Sequence, residues 1–290
     1  MVKTCILVTD GTNCHRETKH TFELAGSDAE IVHIKTLIKG YDPANPGRKE
    51  IKLDKYEILA IAGGFSHGDY ISAGKIFAND LKHSLGESLE QFVKDGKPII
   101  GICNGFQVLV KYGFLPGFDN EIKQTTTLTY NKSHNFECRP IRLTKPIGGN
   151  DLCIWTRNVD DITLPVANGE GRFESDKTIC DRLFQEGLVV FQYANKQSGL
   201  PTMQFPDNPN NSMASIAGIC DPTGLIFGLM PHPERYNSPE NHYLAPLQKV
   251  LSKADKTDPA VQKQIQKAGM LAEKGVGIKI FENAVKYVQG

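Results

Sequence analysis

The feature that most constrains the fold is an apolar run at residues 98–102 that leads directly into a helix-like segment through Gly-Ile-Cys-Asn-Gly, residues 101–105. Glycines two positions either side of Cys103 permit a sharp strand-to-helix turn, which projects the Cys103 side chain from the carboxyl end of a sheet. Free N–H groups and the helix dipole favour a thiolate at such a turn. The motif predicts an activated nucleophile; a buried structural cysteine is the alternative interpretation.

Short apolar runs alternate with amphipathic segments through the first half of the chain. We predict strands at residues 4–9, 31–37, 56–62 and 98–102, and helices at residues 17–24, 74–94 and 104–112. This βαβ alternation predicts an α/β fold with a mostly parallel sheet, helices on both faces, and functional groups where strand ends meet helix starts. Between residues 124 and 172, short runs broken by Pro and Gly predict a small antiparallel extension.

The second half of the chain ends in a polar stretch and a helix. Two apolar runs within residues 215–229 flank Asp-Pro-Thr-Gly, which predicts a hairpin. Residues 237–275 are polar and lysine-rich, and we expect a surface insertion that covers the sheet edge or contacts a partner. Residues 276–290 form an amphipathic closing helix in this prediction, and residues 1–290 form a single domain.

Composition excludes several classes of function. The 33 basic and 33 acidic residues cancel, so no global field attracts nucleic acid or an anionic membrane. No apolar run is long enough to span a bilayer, and the N-terminus is unlike a secretory signal. The 7 cysteines are scattered without a Cys-x-x-Cys pair, which supports neither a disulfide framework nor a thiolate zinc site. We therefore expect a soluble cytoplasmic protein with no metal.

His232 and Glu234 follow the second apolar run of the hairpin and are each preceded by proline. Proline disfavours helix for the residue before it, and residues two apart in an extended segment project to the same side. An imidazole beside a carboxylate is what a cysteine nucleophile needs, with His232 exchanging protons and Glu234 orienting the ring. The alternative is a surface loop with a salt-bridging glutamate.

The loop at residues 63–70 has three possible interpretations. Its Gly-Phe-Ser-His-Gly segment matches a serine-hydrolase elbow, but a turn-rich stretch follows where a helix is required. A phosphate loop fails because the spacing to Lys75 is one residue too long. The third interpretation is an oxyanion loop, in which paired glycines and the N–H of Asn104 face a tetrahedral intermediate at Cys103. Residues 168–173 superficially match a dinucleotide fingerprint, but no strand–helix unit surrounds them.

Taken together, residues 101–107, 63–65 and 231–235 resemble the three signatures of class I (triad) glutamine amidotransferases. Further segments resemble the family of glutaminase subunits of phosphoribosylformylglycinamidine synthase, and the resemblance spans about residues 3 to 236. These segments are residues 64–70, 131–139, 166–173 and 211–219. The resemblance implies a flavodoxin-like, mostly parallel sheet.

The resemblance also implies roles for individual residues. Cys103 would be the nucleophile, His232 the base and acid, and Glu234 the orienting carboxylate. The main chains of Gly64 and Asn104 would donate to the oxyanion. The residues implied in binding the substrate glutamine are Gly63, Phe65, Gln107 and Gly169.

The implied activity is glutamine hydrolysis to glutamate and ammonia for purine biosynthesis. Because this chain has no recognisable ATP-binding motif, the resemblance assigns ATP and Mg to a separate synthetase subunit and leaves this chain without a cofactor. That subunit, and a small accessory subunit, are the expected partners. The alternative is a stand-alone cysteine hydrolase or protease of the same superfold.

Overall fold

The computed structural model describes residues 1–38, 51–149, 151–241, 245–255, 257–268 and 276–290. The strands are β1 (Lys3–Val8), β2 (Asp28–His33), β3 (Ile58–Ile61), β4 (Ile99–Ile102), β5 (Thr126–Thr129), β6 (Glu137–Thr144), β7 (Asp161–Asn168), β8 (Arg172–Ser175), β9 (Val189–Ala194), β10 (Ile216–Cys220) and β11 (Ile226–Leu229). The helices are α1 (His15–Leu24), α2 (Ile34–Leu37), α3 (Lys75–Lys94), α4 (Asn104–Tyr112), α5 (Lys177–Gln185), α6 (Ala245–Leu251), α7 (Pro259–Ala268) and α8 (Ile278–Gln289).

The main sheet has the strand order β2-β1-β3-β4-β11-β10-β9-β6-β7. Pairing is parallel from β2 through to β11 and antiparallel from β11 through to β7. A separate antiparallel pair joins β5 to β8. The predicted parallel sheet with an antiparallel extension is confirmed, and the extension continues the main sheet.

The core lies around the central strands. Every residue of β3, β4, β10 and β11 is buried, because other layers cover both faces of this central part of the sheet and leave no polar side. Helix α3 packs against α4, and α1 packs against α8. In the latter pair, the rings of Phe22 and Phe281 meet edge to face with centroids 4.8 Å apart.

The strand predicted at residues 31–37 is wrong in its second half. Strand β2 pairs with β1 only as far as the Val8–His33 pair, where β1 ends. The chain then leaves the sheet, and the His33 Nδ1 accepts a hydrogen bond from the N–H of Lys35 and caps the short helix α2. The apolar residues after His33 are therefore buried as part of helix α2 and do not belong to a strand.

The C-terminal segments contain helices. The expected insertion, residues 237–275, includes α6 and α7, although residues 242–244, 256 and 269–275 lie outside the described residues. Helix α8 occupies the segment predicted to close the fold. Its Asn283 Nδ2 donates hydrogen bonds to the carbonyls of Trp155 and Arg157. Among the described residues, no helix has the length and apolar character needed to cross a membrane.

Candidate active site

The candidate nucleophile and base lie at the carboxyl ends of neighbouring strands. In the register of β4 and β11, Ile102 pairs with Leu229, and both strands run in the same direction. The N–H of Cys103 donates to the carbonyl of Leu229 over 2.8 Å. The chain segment that carries His232 is therefore tied to the segment that carries Cys103, although the two are remote in sequence.

Cys103 occupies the sharp turn that the sequence predicts. Its φ of 52° and ψ of −103° lie in a region that non-glycine residues rarely adopt, and α4 starts at the next residue. Such a conformation costs about 1–3 kcal/mol and is common at functional turns. The Sγ atom lies 3.7 Å from the carbonyl oxygen of Ala167, and the residue is 5% exposed.

His232 and Glu234 form a buried pair. The Nδ1 of His232 lies 2.6 Å from Oε1 of Glu234, and their side chains are 1% and 0% exposed. The backbone of His232 is extended as predicted, but a 3₁₀ turn at Pro233–Arg235 replaces the expected continuous extended segment. This turn places the Glu234 carboxylate against the His232 ring. The salt-bridging surface loop is excluded by the burial of both side chains.

The protonation of His232 depends on its buried partners. Burial alone lowers the pKa of the imidazole, but the Glu234 carboxylate and the Cys103 and Cys14 thiols raise it, and the result is a pKa well above the usual range. This environment favours an imidazolium between the Glu234 carboxylate and the Cys103 sulfur. Such a group can donate a proton to a leaving amine.

Two backbone N–H groups near Cys103 are available for an oxyanion. The N–H of Gly64 donates no hydrogen bond within the described part of the chain, and that of Asn104 lies in the first turn of α4, where helical N–H groups have no intrahelical partner. Gly64 has φ of 146°, and a Cβ there would lie 2.6 Å from the nitrogen of Asn13. Only glycine fits this position.

The side chain of Asn104 connects the loop to the helix. Its Oδ1 accepts from the N–H of Ser66 over 3.2 Å, while its Nδ2 donates to Asp69 and to Gln107 over 3.0 and 2.9 Å. One amide thus holds the loop that carries Gly64 against the helix that follows Cys103. Both candidate oxyanion donors belong to this connected unit.

The residues predicted to bind glutamine lie in different environments. Gln107 is buried, and its Nε2 donates to the carbonyl of Glu170 over 2.6 Å, so its amide is already engaged by the protein. Gly63 packs against the imidazole, where an added Cβ would lie 3.0 Å from Cε1 of His232. Direct contacts of these two residues with substrate stay predictions.

The other two predicted binding residues lie near Phe136. Phe65 is 43% exposed, and its ring centroid lies 6.2 Å from that of Phe136. Among the described residues beyond its chain neighbours, a Cβ on Gly169 would have only the Phe136 ring within 4 Å, while the Gly169 carbonyl accepts from the N–H of Asn131. Their role in binding glutamine also stays a prediction.

The structure contains a buried network of charged side chains around Lys111 that the sequence patterns did not indicate. Lys111 Nζ donates to Ser72 Oγ over 2.7 Å and to the carbonyl of Ala73. Burial lowers the pKa of Lys111 to about 8, although Glu170 and Asp69 act in the opposite direction. Burial and the Glu170 charge raise the pKa of Asp69 to about 6. A lysine on a helix that is otherwise largely apolar was the available signal.

Cys14 is the second feature that sequence reasoning missed. It is 2% exposed, and the Nη2 of Arg235 lies 3.0 Å from its Sγ. Cys14, His232 and Glu234 each offer a metal-ligating atom, and these atoms lie within 4.8 Å of one another. The signal was the position of Cys14 just beyond β1, whose carboxyl end lies at the same sheet edge as that of β4.

Residues 1–288 match the family described as CobB/CobQ-like glutamine amidotransferase domains, and the chain belongs to this family. It is 41% identical over 288 residues to phosphoribosylformylglycinamidine synthase subunit PurQ of Dehalococcoides mccartyi, covering 99% of this chain and 98% of that one. It is 44% identical over 245 residues to the subunit PurQ of Treponema denticola, covering 79% and 86%.

Solved structures agree with the fold. The structure of PurLQS from Thermotoga maritima contains a chain that aligns with TM-score 0.63 at 25% identity, with 99% of this chain and 98% of that one covered. A glutamine amidotransferase from Thermotoga maritima aligns with TM-score 0.52 at 15% identity over 99% of this chain and 97% of that one, which supports the fold alone. The resemblance inferred from the motifs, and the fold that it implies, are confirmed.

Proposed function

We propose that this chain is the glutaminase subunit of a phosphoribosylformylglycinamidine synthase. It would hydrolyse glutamine to glutamate and ammonia and pass the ammonia to a separate synthetase subunit. The single observation that carries the chemistry is the position of Cys103 beside a buried His232–Glu234 pair, at the ends of strands β4 and β11. The similarity to relatives named phosphoribosylformylglycinamidine synthase subunit PurQ supports the assignment to purine biosynthesis.

The chemistry follows from this geometry. The Cys103 thiolate attacks the side-chain amide carbon of glutamine, and the N–H groups of Gly64 and Asn104 stabilise the oxyanion. The imidazolium of His232 donates its proton to the leaving nitrogen, so ammonia departs and a glutamyl thioester remains. Water then gives a proton to the imidazole and attacks the thioester, which releases glutamate and restores the Cys103 thiolate and the His232 imidazolium. Glu234 holds the ring through Nδ1 in both steps.

The synthetase partner would use the ammonia in an ATP-dependent step that converts formylglycinamide ribonucleotide to its amidine. Ammonia is a nucleophile only while it is neutral, so a sheltered route between the two subunits is expected. ATP and Mg would bind the synthetase, and this chain would carry neither. A small accessory subunit is a further proposed component of the complex, and the similarity to a chain of PurLQS from Thermotoga maritima supports an assembly of this kind.

The test is glutamate release by the chain assembled with its synthetase and ATP. Cys103→Ala and His232→Ala should each lower turnover on the order of 10³-fold or more, because nucleophile and proton carrier act as one unit. Cys138→Ala, at an exposed cysteine, is the matched control and should retain turnover. Wild-type turnover in either of the first two variants would contradict the proposal.

Dependence on the partner separates this function from a stand-alone cysteine hydrolase or protease. A glutaminase subunit should release little glutamate alone and much more when synthetase and ATP are added. A stand-alone hydrolase should show the same rate in both conditions.

A further inference from the structure

A second thiol lies beside the candidate catalytic imidazole. The ligand atoms of Cys14 and His232 lie within 4.8 Å of each other, and Cys14 and Cys103 both act to raise the pKa of the His232 imidazole. Gly63 makes this approach possible, because a Cβ there would lie 3.0 Å from Cε1 of His232 and 3.3 Å from Sγ of Cys14. The proposed glutamine hydrolysis uses the Cys103 sulfur as nucleophile and assigns no role to Cys14.

The position of Cys14 is fixed by its backbone. Its N–H donates to the carbonyl of Gly63 over 3.1 Å, and its carbonyl accepts from Oγ1 of Thr18 over 2.7 Å. A buried side chain on such a backbone loses little further freedom when it binds a ligand. The thiol is therefore already held at the imidazole.

We propose that Cys14, Cys103 and His232 form a binding site for Zn²⁺ that reversibly inhibits the glutaminase. Two thiolates and one imidazole nitrogen are ligands that zinc prefers, and a water would complete a four-coordinate site. On binding, every proton held by the two sulfurs and by Nε2 of the His232 imidazolium is released to solvent. The bound metal then occupies both the nucleophile and the base, so that glutamine and zinc exclude each other.

The His232–Glu234 pair supports the histidine as a zinc ligand. Zinc-bound histidines commonly donate their other ring N–H to a carboxylate, which fixes the tautomer and makes the ligating nitrogen more basic. Here Nδ1 lies 2.6 Å from Glu234, which leaves Nε2 for the metal. The Nε2 atom is buried and makes no hydrogen bond with any described residue. The proximity of Cys14 to His232 and this buried nitrogen without a partner are two independent observations that support a metal site.

Distances and charges are compatible with the site. Ligand atoms in a tetrahedral zinc site lie about 3.6 Å apart. Those of Cys14, His232 and Glu234 lie within 4.8 Å of one another, a group that does not include the Cys103 sulfur, so rotation of the Cys103 side chain must bring this third ligand to the metal. Two thiolates neutralise the divalent cation. The Arg235 Nη2, 3.0 Å from Sγ of Cys14, is placed to keep an N–H···S hydrogen bond to the coordinated sulfur.

The first experiment measures metal binding without any activity assay. The full chain is titrated with Co²⁺, which replaces zinc and shows near-ultraviolet charge-transfer absorption that scales with the number of bound thiolates. Wild type and Cys138→Ser should give the intensity of two thiolates, and Cys14→Ser and Cys14→Ala about half. Equal intensity in wild type and both Cys14 variants, or no uptake by wild type, would overturn the proposal.

The second experiment measures zinc inhibition in the assembled complex, and it rests on the proposed function. Each variant is compared with its own rate in the presence of a chelator, which removes any effect of Cys14 on the basal rate. Cys14→Ser should raise the inhibitory zinc concentration at least tenfold, while Cys138→Ser should leave it unchanged. Equal sensitivity in Cys14→Ser and wild type would assign inhibition to Cys103 and His232 alone and overturn the proposal. A chain that binds cobalt through two thiolates but lacks glutaminase activity would contradict only the proposed function.

Discussion

At the scale of single residues, Glu234 determines the charge state of the site. Its carboxylate is fully buried against Nδ1 of His232 and raises the pKa of the imidazole, which burial alone would lower. Replacing Glu234 with the similarly shaped but neutral glutamine removes that attraction. The imidazolium should then lose its proton at lower pH, and the proton donor for the leaving amine is lost earlier as pH rises.

For Glu234→Gln we expect kcat/KM to fall by roughly 10²–10⁴-fold, the range for an orienting carboxylate or a proton-transfer group. The alkaline limb of the pH profile should move to lower pH. Glutamate release measured across pH in the assembled complex gives both quantities, with the exposed Glu240→Gln as control. An unshifted alkaline limb would show that His232 does not carry that titration.

The sequence identifies Cys103, His232 and Glu234 as candidates because each follows an apolar run, and parallel strand ends gather at one sheet edge. Cys14 also follows a strand, but its contact with His232 depends on the path of the loop after β1 and on Gly63 leaving room. No local pattern encodes that path. The buried partners of Lys111 are likewise set by loops that only the folded chain brings together.

At the scale of elements, the contact between α4 and β3 positions the nucleophile. A Cβ on Gly105 would lie 2.0 Å from the carbonyl oxygen of Ile61, so glycine permits the helix to sit directly on the strand. The helix starts immediately after Cys103, and any displacement of α4 also moves the strained turn.

Gly105→Ala should lower the free energy of unfolding by about 2 kcal/mol or more, because backbone must shift to remove the clash. Gly86→Ala, in α3, is the matched control: apart from its own helix, its Cβ would have only the Tyr112 hydroxyl within 4 Å among the described residues, at 3.7 Å. That variant should gain about 0.5–1 kcal/mol from helix propensity. Urea unfolding of both variants measures the difference. Equal stability of Gly105→Ala and wild type would refute the packing argument.

Element types were easier to predict than element ends. The helix at residues 104–112 agrees with α4 because a glycine turn and a periodic apolar face bound it locally. The strand predicted at residues 31–37 extends too far because its apolar content suits either structure. The end of β2 is set by the last residue of β1 that pairs with it, Val8, and this residue belongs to a different segment of the sequence.

At the scale of the whole molecule, both ends of the chain support the turn that carries Glu234. Oγ1 of Thr21, in α1, donates to the carbonyl of Glu234 over 3.3 Å. The N–H of Gly277, just before α8, donates to the carbonyl of Tyr236 over 3.0 Å. Phe22 and Phe281 join these two helices, so packing between α1 and α8 supports the turn that carries Glu234.

Phe281→Ala should therefore lower the free energy of unfolding by about 3–5 kcal/mol, the range for a buried aromatic truncation. It should also reduce glutamate release at temperatures below melting, because α1 and α8 no longer fix the turn. Tyr287→Ala, on the same helix but 40% exposed, is the control and should cost far less. Urea unfolding and the activity assay together test this expectation. Full activity in a strongly destabilised Phe281→Ala would show that packing of α1 against α8 does not position the turn that carries Glu234.

The pairing of β4 with β11 has a consequence during synthesis of the protein. The N-terminal part of a chain leaves the ribosome first, yet the strand that completes the site, Ile226–Leu229, comes more than a hundred residues after Ile99–Ile102. A nascent chain thus carries its thiol for a long interval without the imidazole that would activate it. Nascent chains that end before His232 would release no ammonia, and glutamine hydrolysis would begin only in chains that extend beyond it.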